Sequence, residues 1–377
     1  MNFNPNLPYK VPPISVEQLK KAQLSLTREL TEANIALAQV KGFLRGLPHS
    51  GTALMNPIFI KEAVESSEIE NINTTLLEVM QRQIAPDVES KSSSQLVINY
   101  TMASLWGFNH VGEYGLRSRL VTCIQHQLIP DGAEGYRRLP VVIGDGLGKV
   151  HYTPPNASDI PGLISDWEKL VNGRADVDPL VVAAAAHYHF EAIHPFEDGN
   201  GRTGRMLINL QLIHANLLDT PVVHISQYIN VNKSQYYKLL RQVTSDGNLE
   251  GFVKFILKAF TTQANHSLAL LQRIQELQRE FKKEIRTGLP NVYSHELLDA
   301  LFARPVQTPV RLAGDIGIHY VTASKYLKKL EEAGLLRSSK LGRHAYFINF
   351  KLLELIEQKG HMEPKKPVIT KTELMVN

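Results

Sequence analysis

The twelve residues from His194 to Arg205, His-Pro-Phe-Glu-Asp-Gly-Asn-Gly-Arg-Thr-Gly-Arg, bring a base, two carboxylates, three glycines and two guanidinium groups together at fixed offsets. Histidine titrates near neutral pH, so His194, at the end of an apolar helical run, is suited to taking a proton from a hydroxyl. Gly199-Asn200-Gly201 can adopt positive φ and aim successive N–H groups at one point. Such a nest binds anions, and a helix opening near Arg202 adds its N-terminal dipole. Arg202 and Arg205 are three apart, so both can point to one side and clamp a polyphosphate. Asp198, just ahead of the nest, suits Mg2+, which favours one or two carboxylates together with phosphate oxygens. A different chemistry would use His187, Glu191 and His194, which share one helical face at i, i+4 and i+7 as zinc ligands could. His189 lies off that face, and no HExxH is present.

The segment resembles the signature of the Fic family (filamentation induced by cAMP), His-x-Phe-x-Asp/Glu-Gly-Asn-Gly-Arg-x-x-Arg, at every defined position. The resemblance implies a protein adenylyltransferase that moves AMP from ATP to a Ser, Thr or Tyr hydroxyl and releases pyrophosphate. In that reading His194 is the catalytic base, Asp198 holds Mg2+, and Phe196 anchors the loop in the core. Gly199, Asn200, Gly201, Arg202 and Arg205 hold the nucleotide phosphates, and Thr203 and Gly204 belong to the same nucleotide site. Attack falls at the α-phosphorus, where positioning and charge neutralisation do most of the catalysis.

Ser66-Ser-Glu-Ile-Glu-Asn71 resembles the family's inhibitory motif, Ser/Thr-x-x-x-Glu-Gly/Asn, and lies N-terminal to the signature. The resemblance implies autoinhibition, with Ser66, Glu70 and Asn71 as the inhibitory residues and Glu70 paired with Arg205. A carboxylate in the γ-phosphate seat competes for the guanidinium and repels the anion. The family also covers its site with a β-hairpin flap that grips an extended target by strand addition, for which Lys149–Pro155 is the candidate. Tyr236 and Tyr237 resemble a tyrosine pair placed beside the adenosine, although one of two adjacent tyrosines on a helix belongs in the core. Two other readings stay open: removal of AMP from a modified protein, with Glu70 positioning water, and a DNA-binding regulator whose Fic core senses nucleotide.

The elements that must position these residues are mainly helical. Pro5, Pro8, Pro12 and Pro13 favour an extended arm, and helical spacing runs from Ser15 to about Val40. Asn56-Pro57 reads as an N-cap and N1 proline opening a helix that stops near Asn71. Residues 94–128 look helical. Pro130–Pro161 is punctuated by Gly132, Gly135, Gly144, Gly146 and Gly148, which suggests a hairpin or flap. Asp178-Pro179 caps an apolar helix ending at His194-Pro195, and helices fill the chain to about residue 287, Gln227–Val243 and Leu249–Ala259 being the clearest. Residues 290–357 read as three short helices and two strands around a basic turn, the winged helix-turn-helix layout. The expected division is 1–93 for the arm and inhibitory helix, 94–287 for the Fic core, 288–357 for the winged helix and 358–377 for a loose tail.

With 377 residues, 43% hydrophobic and 21% charged, the chain is expected to be globular and multi-domain. A single cysteine, Cys123, excludes an internal disulfide or a multi-cysteine zinc site and predicts a reducing, cytoplasmic setting. No signal peptide is read in the first residues, and no apolar run is long enough to span a membrane. Between Thr322 and Arg343 the basic residues Lys325, Lys328, Lys329, Arg337, Lys340 and Arg343 face Glu331 and Glu332, so DNA is a candidate partner. Self-modification and a homodimer are further candidates beside the target protein.

Overall fold

Ser15 opens the first helix with a reciprocal cap: its hydroxyl accepts from the Gln18 N–H at 3.2 Å, and Gln18 Oε1 accepts from the Ser15 N–H at 2.9 Å. The computed structural model describes residues 3–47, 55–85, 92–144, 148–173, 176–342 and 344–358. Gly146, Arg343 and all of the expected tail beyond Gln358 lie outside them. The helical stretch expected from Ser15 is two helices, α1 (Val16–Ser25) and α2 (Thr27–Arg45), separated at Leu26. Leu26 is buried, so its side chain holds the break in place.

Helix α3 (Met55–Ile69) carries Ser66 and is followed by a turn in which Asn71 takes φ 61°. Asn56 does not cap it. The helix includes Asn56, whose amide instead donates to the Ala303 carbonyl at 3.3 Å, a partner that lies 247 positions away. Next come α4 (Leu76–Ile84), α5 (Ser92–Tyr114) and α6 (Ser118–Leu128), then the flap strands β1 (Ile143–Gly144) and β2 (Val150–Tyr152), which pair antiparallel. Helix α7 (Ile160–Asn172) leads to α8 (Pro179–Ile193), capped by the Asp178 carboxylate on the Leu180 N–H at 2.8 Å.

Helix α8 is buried on nearly every side, and Trp167 donates to its Ala186 carbonyl at 3.1 Å. Each buried Leu, Val, Ile or Phe contributes about 1.5–3 kcal/mol, so packing rather than capping fixes this helix and with it the position of its C-terminus. Helix α9 (Asn200–His214) packs beside it, followed by α10 (Ser226–Val231), α11 (Lys233–Asp246) and α12 (Leu249–Gly288). The last is one helix of 40 residues, and it packs against α2, α8, α13 and α16.

The C-terminal segment has the expected three helices, α13 (His295–Ala303), α14 (Pro309–Ile316) and α15 (Tyr320–Glu332), and the ribbon β4 (Arg337–Leu341) and β5 (His344–Ile348). Two elements were not foreseen: strand β3 (Val306–Gln307), which completes an antiparallel sheet in the order β3-β5-β4, and helix α16 (Phe350–Glu357). No helix among the described residues is long and apolar enough to cross a membrane.

Candidate active site

Helix α8 stops at His194, which takes the left-handed conformation (φ 49°, ψ 61°) while its N–H still closes the helix on Phe190 O at 3.0 Å. A non-glycine residue there is strained by about 1–2 kcal/mol and must be held by its neighbours. Behind it Phe196 is buried, and the Asn200 side chain closes the loop, accepting from the Phe196 N–H and donating to the Phe196 carbonyl, both at 2.8 Å. Asn200 is expected to hold phosphate as part of the Gly199–Gly201 nest. Its side-chain amide shapes the loop, and its backbone N–H is the group left for the nest.

The nest is also narrower than the sequence suggests. Gly199 alone takes positive φ, at 80°, and α9 begins at Asn200 rather than near Arg202. Gly201 is required for a different reason: a Cβ there would collide with the Glu70 carboxylate and stand 2.9 Å from Arg205 Nη1. Thr203 and Gly204 lie in the first turns of α9, where both are buried. The Thr203 hydroxyl donates to Gln125 Oε1 at 2.9 Å, Gln125 Nε2 in turn donates to the Asp198 carbonyl at 2.8 Å, and Gly204 abuts Glu191 and His187 of α8.

Nor do the two arginines share a partner. Arg202, 2% exposed, donates through Nη2 to Asp198 at 3.0 Å, while its buried Nε and Nη1 have no partner among the described residues. Arg205 turns to α3. Its Nε donates to the Ser66 hydroxyl at 2.8 Å, and its Nη2 to the Ser66 carbonyl and to Glu70 Oε1, each at 2.9 Å. Burial opposes the charge on Arg205, and the surrounding Glu70, Tyr236 and Glu191 more than offset it, so its pKa is raised. Asp198 is exposed, one oxygen accepting from the Gly199 N–H at 2.6 Å and the other from Arg202.

A layer of buried ionisable groups surrounds this centre. Burial and the Arg137 charge push His194 down to about 4, so the ring is neutral at pH 7 and able to accept a proton; its Nδ1 is buried without a partner. Burial and Arg205 push His187 down to about 3, and its Nε2 bonds the Tyr236 hydroxyl at 2.8 Å. Burial raises Glu191 to about 7 and Glu62 to about 8, the latter held by Tyr100 at 3.2 Å and by Ser226. Tyr236 is thus the core member of its pair, and Tyr237 is 38% exposed, raised to about 12 by burial and the Glu70 charge. Among the described residues no group of three or more His, Cys, Asp or Glu side chains could hold a metal ion, so His187, Glu191 and His194 form no zinc cluster.

Sequence reasoning missed the elements that fix the flap. The Tyr152 hydroxyl donates to Ala192 O at 2.6 Å, and the N-terminal arm runs against the hairpin: Tyr9 N donates to Thr153 O at 2.9 Å and Thr153 Oγ1 to Pro5 O at 2.6 Å. Arg137 bonds the His194 carbonyl at 2.8 Å. The only local signal for Arg137 was an arginine just ahead of the β-like run, and nothing nearby in the chain names its partners.

Three family models tile the chain: "Fic/DOC family N-terminal" matches residues 27–109, "Fic/DOC family" 115–212, and "Protein adenylyltransferase SoFic-like, C-terminal domain" 277–352. The chain belongs to the Fic/DOC family. Among curated relatives, the Protein adenylyltransferase Fic of Culex quinquefasciatus is 37% identical over 130 residues, which is 33% of this chain and 23% of that protein. The protein of the same name from Aedes aegypti is 36% identical over 128 residues, 33% of this chain and 23% of its own length. The matched part of this chain therefore spans about a quarter of the length of those Fic relatives. A Fic family protein from Desulfovibrio desulfuricans G20 superimposes with a TM-score of 0.56 at 21% identity, over 89% of this chain and 98% of that one. Fic-1 (aa134–508) from C. elegans gives a TM-score of 0.51 at 20% identity, over 68% and 77%. At these identities the likeness establishes the Fic fold alone.

Proposed function

We propose that this chain transfers AMP from ATP to a hydroxyl of a protein, with His194 as the base and Glu70 as a built-in restraint. The observation that carries this reading is a neutral His194 beside an anion nest whose Arg202 keeps two buried N–H donors without partners. Unpaired buried donors are costly, and a phosphate oxygen would satisfy them. His194 accepts the acceptor hydroxyl's proton as its oxygen bonds to the α-phosphorus; the bond from that phosphorus to the bridging oxygen breaks, and pyrophosphate carries the electron pair away. Arg202 and the Gly199–Gly201 backbone hold the phosphates in line. The exposed Asp198 carboxylate fits Mg2+, which would neutralise phosphate charge there.

In this reading Glu70, through Arg205, excludes the productive phosphate position; Ser66 and Asn71 shape the end of its helix. The acceptor is an extended segment added to the flap near Lys149–Pro155, in a cytoplasmic protein or in this chain itself. The working division is an arm and helical region to 93, a Fic core to 287 and a winged helix to 357.

Purified wild type, Glu70→Gly and His194→Ala are incubated with Mg2+, α-labelled ATP and a lysate. Label that strengthens in Glu70→Gly and vanishes in His194→Ala supports the assignment. No label in any variant, with ATP bound, overturns it in favour of AMP removal or nucleotide sensing.

A second reading concerns the C-terminal segment, where Lys325, Lys328 and Lys329 on α15 and Arg337 and Lys340 on β4 are all exposed. We propose that this face binds DNA phosphates. Retardation of duplex DNA that weakens with salt and in Lys328→Glu/Lys340→Glu supports it, and no retardation at low salt overturns it.

A further inference from the structure

Arg137 is 2% exposed, and among the described residues its side-chain hydrogen bonds go to main-chain carbonyls. Nε donates to His194 O at 2.8 Å, Nη1 to Leu139 O at 3.2 Å and Nη2 to Pro155 O at 2.6 Å. Its own N–H donates to Pro195 O at 2.8 Å. Leu139 lies just before β1 and Pro155 just after β2, so one guanidinium reaches both roots of the flap and the turn that carries His194.

We propose that Arg137 is a positioning residue for the transfer reaction, clasping the flap to the proton-accepting His194 so that an acceptor gripped by the hairpin meets the base in register. The proposal rests on the AMP-transfer reading above. A buried cation facing only carbonyls is expensive unless they present concentrated negative potential. The C-terminus of α8 supplies that potential through its carbonyls and its dipole. The strained left-handed backbone of His194 needs such a hold, because that conformation persists only where its surroundings over-determine it. A planar fork reaches three carbonyls in three directions, which a lysine ammonium on a single-stem chain cannot reproduce. Tyr152, with its hydroxyl on Ala192 O, makes a second tie between flap and helix end but none to the His194 turn itself. Among the described residues the Arg137 side chain bonds to the flap and the His194 turn and not to Asp198, Arg202 or Arg205, so the clasp bears on the flap and the base rather than on those phosphate-site side chains.

The clasp therefore acts on turnover of the protein acceptor and leaves ATP affinity alone. The test places Arg137→Met and Arg137→Lys in the Glu70→Gly background. ATP affinity is measured by calorimetry, label transfer at saturating ATP, and amide exchange by mass spectrometry. Arg137→Met is expected to bind ATP within about threefold of its parent while kcat falls about 100-fold, the size of loss that a misplacement of about 1 Å brings. Exchange should rise at residues 139–144, 148–155 and 192–196 and stay unchanged in α3 and α12. Arg137→Lys, which keeps the charge and loses the fork, should recover only a small part of kcat; should the methionine variant not fold, the lysine variant alone decides. Retained kcat, an equal fall in ATP affinity, or unchanged flap exchange overturns the clasp. If Glu70→Gly transfers no label at all, the transfer reading fails by itself, and the exchange data still judge whether Arg137 holds flap and turn together.

Discussion

Nε of Arg205 donates to the hydroxyl of Ser66 at 2.8 Å, one helical turn before Glu70 engages the same guanidinium. The serine is fully buried, whereas the Glu70 side chain is 35% exposed, so the arginine has a permanent neutral anchor and a more accessible charged one. Ser66→Ala removes a hydrogen bond to a buried charge. It should cost about 1.5–3 kcal/mol in urea unfolding; a loss below 0.5 kcal/mol, within the range of ordinary surface changes of about ±0.5 kcal/mol, would show that the anchor carries no weight.

Gly201→Ala should be destabilising through Glu70. A methyl group at this position meets the Glu70 carboxylate and Arg205 Nη1, and overpacking of this kind costs about 1–3 kcal/mol. Much of that cost should disappear in Gly201→Ala/Glu70→Gly. Melting temperatures of the four proteins form a double-mutant cycle, and strict additivity would contradict the predicted collision.

Stability should peak near neutral pH and fall on both sides. His187 and His224 are held at about 3 and His189 and His194 at about 4, in each case first by burial. All four lie below the ordinary histidine value of 6.5, so as pH falls below 6.5 the unfolded chain takes up protons that the fold refuses, and stability is lost. Glu62 and Glu191 are shifted the other way, to about 8 and about 7. Their share of stability is complete below 4.5 and is lost as pH rises through those values. A pH series of melting temperatures tests this, and Glu62→Gln, which mimics the protonated acid, should flatten the alkaline side.

The C-terminal segment should be coupled energetically to the helical region. Gln81 Nε2 donates to the Tyr346 hydroxyl at 2.6 Å across 265 positions of sequence. Tyr346→Phe should cost about 0.5–1.5 kcal/mol, with no additional loss when Gln81 is also replaced by alanine. Independent, additive losses in urea titrations would mean that the two side chains do not depend on each other.

The legible parts of this molecule were those whose cause is local. The apolar run to Ile193 and the Asp178 cap follow from neighbours in the chain. In the site, Glu70 does meet Arg205, as the motif around Ser66 implies. What each residue touches was not legible. Asn56 looked like a cap because its true partner, Ala303, is remote in sequence, and the reason for Gly201 is the carboxylate of Glu70, in the turn that follows α3. Arg137 left almost no trace, since carbonyls have no residue identity for a motif to record. The break at Leu26 depends on burial that only the assembled core provides.

The pair formed by Glu70 and Arg205 also has a direction in time. The ribosome delivers the carboxylate 135 residues before the guanidinium, a lead on the order of ten seconds at ordinary elongation rates. Helix α3 can therefore be waiting when the signature emerges, and α12 closes the core only afterwards. Under the proposed restraint, a newborn chain would have no interval in which its transfer site is complete and uncovered, and regulation in the cell would consist of release alone.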